Sequence, residues 1–449
     1  MNEDTKNQGL LGAVDHFGIV DEKYMVISGW AVNVSDGLTA EKVFLANKDN
    51  QIIAECISDV LRPDLPDKKG FCFKVTAETI LLNSNDSIKV YIYDQGKYFL
   101  INEKKINRTV DGQKKYWNKY LGIDPPMKMY EKYKTCKFID SMAVFSAAST
   151  TVVCCDGPWE PECSTRRIVG EITTNQPFPI KELLLKRKEM IDKNKIGVFD
   201  GCRGCSLLRE KYYIGSKYLL TNVNLSHYFT CNLKCKFCFT SMESYVRPID
   251  TPGELMVQSI KYLLENEILD PNGNIDIAGG EPALMSHVHE FFAVLDDYNV
   301  SVNVCTNGAI FSQPIYNYLK QNPQKTILMI SADSAVPQTY EEMKGVNCCD
   351  KVWENIKKYS TATNLKDRLK IKMIITDDNV NEVKEFIDKV ESCGLNTVVV
   401  DFDRMIHDDE RSPKIYQAIK LFVKYAREKN MTCLFGHEKV GFILETMDK

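Results

Sequence analysis

The second half of the chain alternates regularly between strand-like and helix-like segments. From residue 217 onward, apolar runs rich in β-branched residues are separated by helical patterns such as GELMVQSIKYLLENE (253–267). Because parallel strands need a long crossover between them, this alternation predicts an α/β fold with a parallel sheet. The pattern fits a doubly wound sheet or an incomplete barrel. The predicted strands are 218–225, 274–280, 300–308, 325–333, 368–376 and 396–403.

Residues 1–112 show a different pattern, in which short strand-like runs such as YMVISGWAV (24–32) and IKVYIYD (88–94) are separated by turn residues. This pattern favours an all-β sandwich domain. The segment is also similar to a β-sandwich module attached to some bacterial glycosyltransferases, through a VD near the start, GWA, RPD and GF. Since a fold alone does not define a function, we expect an accessory domain.

The cysteine content is the unusual part of the composition, with 16 cysteines among 449 residues. The net charge is −4, so the broad basic field of a nucleic-acid-binding protein is not expected. The longest apolar run, 142–155, is too short for a membrane span, and the N-terminus lacks the pattern of a secretory signal. We therefore expect a cytoplasmic protein whose cysteines serve metal binding or catalysis rather than disulfides.

Three of these cysteines share one short loop after the first predicted strand of the alternating region. Cys231, Cys235 and Cys238 have C-x3-C-x2-C spacing within SHYFTCNLKCKFCFTSMES. Three thiolates on one loop can converge on an iron–sulfur cube and leave one iron open to a substrate or cofactor. The alternatives are a zinc loop or three buried structural cysteines, although zinc sites usually pair one C-x2-C unit with another.

This loop resembles the signature of the radical S-adenosylmethionine (SAM) superfamily, C-x3-C-x-aromatic-C, with Phe237 in the aromatic position. Gly279-Gly280-Glu281, at the end of the second predicted strand, matches the GGE motif of that family. Asn307 lies in a TNG sequence that ends the third predicted strand, and Ser331 and Asp333 end the fourth. The resemblance spans roughly residues 215–410 and implies a partial (β/α)6 barrel of the TIM type, with its site at the carboxyl ends of the strands.

The resemblance also implies a mechanism. A [4Fe–4S] cluster on Cys231, Cys235 and Cys238 binds SAM, and an external one-electron donor of the flavodoxin or ferredoxin type reduces the cluster. SAM is cleaved to a 5′-deoxyadenosyl radical, which abstracts a hydrogen atom from the substrate. The GGE motif would support the methionyl amino group, with the Glu281 carboxylate complementing the ammonium, and Ser331 and Asp333 would contact the ribose or carboxylate.

A second group of cysteines precedes this loop, within 113–212. Its order, a cysteine, a predicted hairpin, a cysteine and then a C-x2-C unit, resembles the SPASM/twitch auxiliary-cluster module. That module usually follows the radical domain, and its turn glycine is replaced here by Ala148-Ser149. A zinc site is the alternative, because four thiolates suit zinc equally well. The proposed ligands of a second [4Fe–4S] cluster are Cys136, Cys155, Cys202 and Cys205, with Cys154 or Cys163 as alternates.

The sequence therefore predicts a β-sandwich (1–112), a linker with a cysteine-rich module (113–212) and a radical SAM core (213–449). The glycosyltransferase-like module favours a saccharide or glycoconjugate substrate, with oxidation or epimerisation as the outcome. Cys305, beside the expected site, is either the hydrogen donor of an epimerase or a small packing residue. The alternatives are a radical SAM enzyme that modifies peptides and, from a different class, a zinc-binding recognition protein.

Overall fold

In the computed structural model the chain forms two compact units, each built from several segments. The first comprises Met1–Cys136, Ile191–Val198 and Ser206–Lys217, and the second comprises Lys137–Met190, Phe199–Cys205 and Tyr218–Lys449. The structure describes residues 12–21, 24–36, 38–47, 50–61, 69–76, 87–105, 113–127, 132–154, 167–198, 202, 205, 207–212, 216–241, 248–403, 406, 411–436 and 440.

The described strands, in chain order, are β1 (Gly12–Asp21), β2 (Tyr24–Ala31), β3 (Lys42–Ala46), β4 (Ile52–Ile57), β5 (Val60–Leu61), β6 (Lys69–Thr76), β7 (Ser87–Asp94), β8 (Lys97–Lys105), β9 (Lys132–Thr135), β10 (Met142–Ser146), β11 (Thr150–Val152), β12 (Ile168–Glu171), β13 (Arg209–Tyr212), β14 (Leu220–Ser226), β15 (Leu269–Ile277), β16 (Ser301–Thr306), β17 (Thr326–Ser331), β18 (Leu369–Ile375), β19 (Thr397–Phe402) and β20 (Thr432–Phe435). The described α-helices are α1 (Gln113–Leu121), α2 (Lys137–Ser141), α3 (Ile180–Lys195), α4 (Gly253–Glu265), α5 (Val288–Asp296), α6 (Gln313–Gln321), α7 (Pro337–Lys344), α8 (Cys349–Tyr359), α9 (Val383–Ser392) and α10 (Pro413–Glu428).

Two four-stranded sheets make up most of the first unit. Their strand orders are β1-β2-β6-β5 and β4-β3-β7-β8, and every described pairing within them is antiparallel. Apolar side chains from both sheets, among them Ile27, Leu45, Phe71 and Val90, form one buried cluster. Burial of this shared apolar surface holds the two sheets face to face. A separate two-stranded sheet pairs β9 with β13.

A ten-stranded sheet dominates the second unit, in the order β12-β11-β10-β14-β15-β16-β17-β18-β19-β20. Within the described residues, β10 and β14 to β20 run parallel to one another. Helices connect most of the successive parallel strands. The predicted α/β fold with a large parallel sheet is therefore confirmed. From β14 to β20, the strands lie in the sheet in the same order as in the chain.

The sheet is wider than the sequence pattern indicates. The pattern misses β20, a short strand that pairs with β19. The hairpin β10–β11 is present as predicted, but β10 also pairs in parallel with β14, so the hairpin extends the large sheet. A pairing between strands far apart in the sequence leaves no local signal. The domain bounds at residues 1–112, 113–212 and 213–449 stay predictions.

The two faces of the parallel sheet differ in polarity. In β16, β17 and β18, buried apolar residues such as Val304, Ile330 and Ile371 alternate with partly buried residues on the opposite face. Side chains alternate across a strand, so one face packs as core and the other presents a set of polar groups. Among the described helices, none combines the length and apolarity that crossing a membrane would require.

Candidate active site

The three-cysteine loop follows β14 and is anchored on the end of a helix. The N–H groups of Lys234 and Lys236 donate to the carbonyls of Lys344 and Met343, each at 2.9 Å. These carbonyls lie in the last turn of α7, where the helix itself supplies no partner. Gly345 ends α7 at φ +72°, with the position of its missing Cβ 3.2 Å from the Lys234 main chain and side chain. The helix end thus fixes the loop backbone on both sides of Cys235.

Burial raises the pKa of the Cys231 and Cys235 thiols, and the proximity of the other loop cysteines adds to the rise. Burial raises the pKa of Cys235 to about 11; Lys344 opposes the rise, and Cys231 and Cys238 add to it. Burial also raises the pKa of Cys231, with further contributions from Glu281 and Cys238. The N–H of Cys238 donates to the carbonyl of Cys235 at 3.1 Å, the tight turn expected of a C-x2-C unit. A bound metal would reverse this preference, because coordination deprotonates a thiol outright.

The three cysteine thiols of the loop match the donors of an iron–sulfur cube. Within the described part of the chain, no group of three or more His, Cys, Asp or Glu side chains is arranged around one metal ion. A cube binds each thiolate at a different iron, so its ligands lie further apart than those of tetrahedral zinc. Cys231, Cys235 and Cys238 are all free and partly buried, the donor set that such a cube requires.

The GGE turn packs directly against the residues that precede Cys231. The N–H of Gly280 donates to Tyr228 O at 2.6 Å, and the N–H of Glu281 donates to Thr230 O at 2.9 Å. A Cβ on Gly280 would lie 2.4 Å from Thr230 O, and one on Gly279, at φ +105°, would lie 2.7 Å from Tyr228 O. Only glycine permits this approach, which places the exposed Gly279 backbone next to the cysteine loop.

The Glu281 carboxylate joins the ends of two neighbouring strands. One oxygen accepts from Thr306 Oγ1 at 2.6 Å and from Ala283 N at 2.9 Å, and the other accepts from Asn307 N at 2.7 Å. The residue is only 1% exposed, and burial raises its pKa, with the three donors opposing that rise. Protein donors thus occupy the carboxylate that the sequence assigns to the SAM ammonium.

Asn307 links the third strand end to the cysteine loop. Its Nδ2 donates to Asn232 Oδ1 at 2.9 Å and lies 3.7 Å from Cys231 Sγ. The following Gly308 has φ +73°, and its missing Cβ position is 2.7 Å from Ile330 Cγ2. The structure therefore brings together the cysteine loop, the GGE turn and the TNG sequence, three segments separated by long stretches of chain.

A buried ion pair lies beneath this loop. Asp333, at φ +62° and fully buried, accepts a hydrogen bond from Ile374 N at 2.6 Å and pairs with Lys344. Lys344 Nζ also donates to Ser331 O at 3.2 Å and lies 5.0 Å from the centre of the Phe237 ring. Burial by itself would lower the pKa of Lys344, but the Asp333 carboxylate together with Cys235 and Cys231 outweighs burial and raises it. Sequence analysis missed Lys344, since a lysine in the last turn of a helix usually faces solvent.

The partly buried face of the parallel sheet carries a set of polar side chains on the strands that lead to these carboxyl ends. Asp276 Oδ1 accepts from Asn274 Nδ2 at 2.9 Å and from Asn303 Nδ2 at 2.7 Å. On the same face, between β18 and β19, Lys372 Nζ lies 2.8 Å from Asp401 Oδ2. Alternating polar residues in NVNLS, NIDI and KIKMI are the signal that could have identified this face. The apolar residues Ile327, Met329, Ile374 and Val399 also lie on this face, which is named the polar face for its other members: Asn222, Asn224, Asn274, Asp276, Asn303, Cys305, Ser331, Lys370, Lys372 and Asp401.

A histidine pair lies at the start of the cysteine loop, and sequence analysis missed it as well. His227 Nε2 and His287 Nε2 are 2.9 Å apart, so one ring donates to the other. The carbonyl of His227 accepts from Thr251 N at 2.9 Å. Burial lowers the pKa of His227 to about 3, with a smaller contribution from the neighbouring His287. The pair is therefore neutral at physiological pH and ties the loop to the start of α5.

The proposed auxiliary ligands are only partly described. Cys155 and Cys163 lie outside the described residues. Cys205 N donates to Cys202 O at 3.1 Å, the turn also seen between Cys235 and Cys238. Cys202 and Cys205 belong to the second unit, whereas Cys136 ends a segment of the first. A second cluster at these cysteines stays a prediction.

Comparison with known proteins identifies the class of the site. Residues 225–390 match the sequence model of the Radical SAM superfamily. The chain is 26% identical over 175 residues to a probable GTP 3′,8-cyclase of Sulfurisphaera tokodaii, covering 39% of this chain and 52% of that protein. It is 24% identical over 173 residues to an S-adenosylmethionine-dependent nucleotide dehydratase of Flammeovirga pacifica, covering 38% and 58%. It is 25% identical over 158 residues to the mycofactocin maturase MftC of Mycolicibacterium smegmatis, covering 35% and 38%.

The matched segment contains the cysteine loop, the GGE turn, Asn307 and the Lys344–Asp333 pair. The match to the Radical SAM superfamily therefore covers the candidate site, and enzymes of this superfamily use a [4Fe–4S] cluster and SAM. The predicted class and cofactors are thus confirmed. The chain spans about half the length of the first two relatives, 52% and 58%. The resemblances of residues 1–112 and 113–212 stay predictions.

Proposed function

We propose that this protein abstracts a hydrogen atom from a polar substrate bound on the polar face of the sheet. The observation that carries the proposal is the convergence of the cysteine loop, the GGE turn and Asn307 at the carboxyl ends of neighbouring strands. When bound, the [4Fe–4S] cluster and SAM supply a 5′-deoxyadenosyl radical. We also infer that the sheet curves into a partial barrel of the TIM type, with the polar face inside.

Each site residue has a role in this proposal that its contacts support. Cys231, Cys235 and Cys238 hold the cluster, and the open backbone at Gly279 and Gly280 admits the methionine part of SAM. Asn307, half-buried beside Cys231, contacts SAM. Glu281 is a positioning residue, because its carboxylate holds Thr306 and Asn307. Phe237, Ser331 and Asp333 complete the site around Lys344.

The polar face supports a substrate rich in hydrogen-bonding groups. Amide and carboxylate side chains such as Asn303 and Asp276 suit hydroxyl groups, and a saccharide or glycoconjugate matches that chemistry. Cys305 lies on this face with its thiol buried, where it would serve as a hydrogen donor in an epimerisation. Oxidation is the other outcome, with electrons leaving through an auxiliary cluster.

Peptide modification is the second candidate function. The relative that supports it is the mycofactocin maturase, which is similar to this chain over 158 residues. The two candidates differ in what stimulates SAM cleavage. We expect 5′-deoxyadenosine to accumulate faster with saccharides than with peptides, and deuterium to move from a labelled saccharide into 5′-deoxyadenosine. Deuterium transfer from a peptide alone would establish the second candidate.

The class of the site is tested by anaerobic iron and sulfide analysis with EPR on the reduced protein, with and without SAM. We expect about eight irons per chain, from two four-iron clusters, and an EPR signal that changes when SAM is added. Changing Cys231, Cys235 and Cys238 together to Ala should leave about four irons and abolish 5′-deoxyadenosine formation. The matched control changes Cys393 and Cys433, cysteines outside the site, and should keep the full iron content. Zinc-loaded, iron-free protein would contradict the proposal.

The auxiliary cluster needs its own experiment. Cys202→Ala combined with Cys205→Ala should remove about four irons while SAM cleavage by the first cluster persists. Full iron content in this double variant would show that these cysteines are not ligands. An external donor of the flavodoxin or ferredoxin type would supply the electron, and reconstitution of turnover with such a protein would identify it.

A further inference from the structure

Lys344 is the most unusual charged residue near the cysteine loop. It is 2% exposed, and a lysine is rarely buried so completely unless it neutralises a charge. Its main-chain carbonyl anchors the loop through Lys234 N, and its ammonium group lies over the Phe237 ring, between two of the cysteines in sequence. Main chain and side chain of the same residue therefore both face the cluster loop.

The partners of Lys344 hold the ammonium group in one position. Asp333 pairs with Nζ, and Ser331 O accepts a second hydrogen bond at 3.2 Å. The Asp333 carboxylate is fixed in turn by Ile374 N at 2.6 Å, and Asn379 Nδ2 donates to Asp333 O at 2.8 Å. A fully buried ion pair is costly to desolvate and often adds little net stability, so the fixed ammonium group can serve a further charge nearby.

An iron–sulfur cube on three thiolates is that charge. It is a buried anion, and reduction by one electron makes it more negative. A cation held nearby in a medium of low dielectric stabilises the reduced form more than the oxidised form, which raises the reduction potential. Glu281 and Asp333 are the other buried charges beside the loop, and both are acidic. Within the described residues around the loop, Lys344 is the buried cation.

We propose that Lys344 is the counter-charge of the cluster bound by Cys231, Cys235 and Cys238 and sets its reduction potential, with Asp333 as its positioning residue. This inference rests on the proposed function, since it requires a cluster at the three cysteines. It assigns roles that differ in sign: the ammonium favours reduction of the cluster, and the carboxylate opposes it. Opposite signs make the proposal testable independently of any effect on folding.

The experiment is a redox titration of the cluster in the full-length, iron-loaded protein without SAM, followed by EPR. Lys344→Met should shift the midpoint potential in the negative direction, because the nearest cation is lost. Asp333→Asn should shift it in the positive direction, because the cation then acts unopposed. The double variant should return most of the way to the wild-type value. Lys344→Arg should retain a potential close to that of the wild type.

The chain offers a matched control in the same loop. Lys236 is exposed and lies 3.3 Å from Asp378, so solvent screens its charge. Lys236→Met should therefore leave the potential nearly unchanged. Iron content is measured for every variant, and the potential is read on the loaded fraction.

The outcomes separate the two proposals. Wild-type protein without iron at the cysteine loop would overturn the proposed function itself. Loaded variants that cleave SAM but have unchanged potentials, or potentials that shift in the same direction, would overturn only the role of Lys344. If Lys344→Met fails to load iron, a positive shift in Asp333→Asn still supports the proposal and an unchanged potential in that variant rejects it. A weaker SAM affinity in Lys344→Met with an unchanged potential would assign Lys344 to SAM binding instead.

Discussion

The carboxylate of Glu281 accepts the backbone N–H of Asn307 at 2.7 Å, while the side chain of Asn307 reaches Asn232 in the cysteine loop at 2.9 Å. This chain of contacts joins three motifs that are 25 residues or more apart in the sequence. It makes the position of each motif depend on the others. The substitutions below test that dependence.

Glu281→Ala should destabilise the protein by about 2–4 kcal/mol, because the Thr306 hydroxyl and the Asn307 N–H would be left buried without an acceptor. SAM affinity should fall as well, since Asn307 loses the group that holds its backbone. Chemical denaturation and equilibrium SAM binding measure the two effects. The exposed Glu342→Ala is the control and should change neither. Normal stability in Glu281→Ala would show that the carboxylate is not needed to join the strand ends.

Gly280→Ala should lower the iron content and the melting temperature together. Its new Cβ would meet Thr230 O at 2.4 Å and Phe229 C at 2.7 Å, so the backbone leading into the cysteine loop must move. Gly394→Ala is a matched control, because its φ of +75° is strained but no atom lies within 4 Å of the new Cβ. We expect the control to cost about 1 kcal/mol and to retain all its iron. Equal iron in both variants would argue against the close approach at Gly280.

The histidine pair predicts how stability depends on pH. Burial lowers the pKa of His227 from 6.5 to about 3, so the unfolded chain binds more protons than the folded chain in this range. The free energy of unfolding should therefore fall as the pH drops from 7.5 to 5.5. His287→Gln removes one of the two titrating rings and should flatten this slope.

The exposed His289, on the same helix, provides the control for this measurement. His289→Gln should reproduce the wild-type slope in denaturation curves recorded between pH 5.5 and 7.5. A His287→Gln variant that also keeps the full slope would mean that the pair does not contribute to the pH dependence.

Cys305 should react slowly with alkylating reagents in the folded protein. Burial raises its pKa to about 11, with Lys372 opposing the rise, so roughly 0.1% is thiolate at pH 8. The exposed Cys72 provides an internal comparison and should be modified at least tenfold faster. Peptide mapping by mass spectrometry after short exposure to iodoacetamide measures both. Equal rates would show that the polar face is open to reagents at the level of β16.

Local sequence predicted much of the core fold because the signals there are local. The helices Ile180–Lys195, Gly253–Glu265 and Pro413–Glu428 lie where the apolar periodicity indicates, and each predicted parallel strand overlaps an observed one. The strand predicted at 274–280 instead ends at Ile277, since the N–H groups of Gly280 and Glu281 donate to the backbone before the cysteine loop. That partner is about 50 residues distant, and no window around the glycines reveals it.

From the sequence alone came the resemblance to the radical SAM superfamily, which rests on the cysteine spacing and on the GGE and TNG sequences. These signals are local, because iron ligation and close backbone approach require particular residue types in short segments. Tertiary structure decided how the side chains are used. The Glu281 carboxylate accepts hydrogen bonds from Thr306 and Asn307. Lys344, in the last turn of a helix, is buried and pairs with Asp333. Burial and charge pairing arise between segments that meet only on folding, so a linear pattern does not encode them.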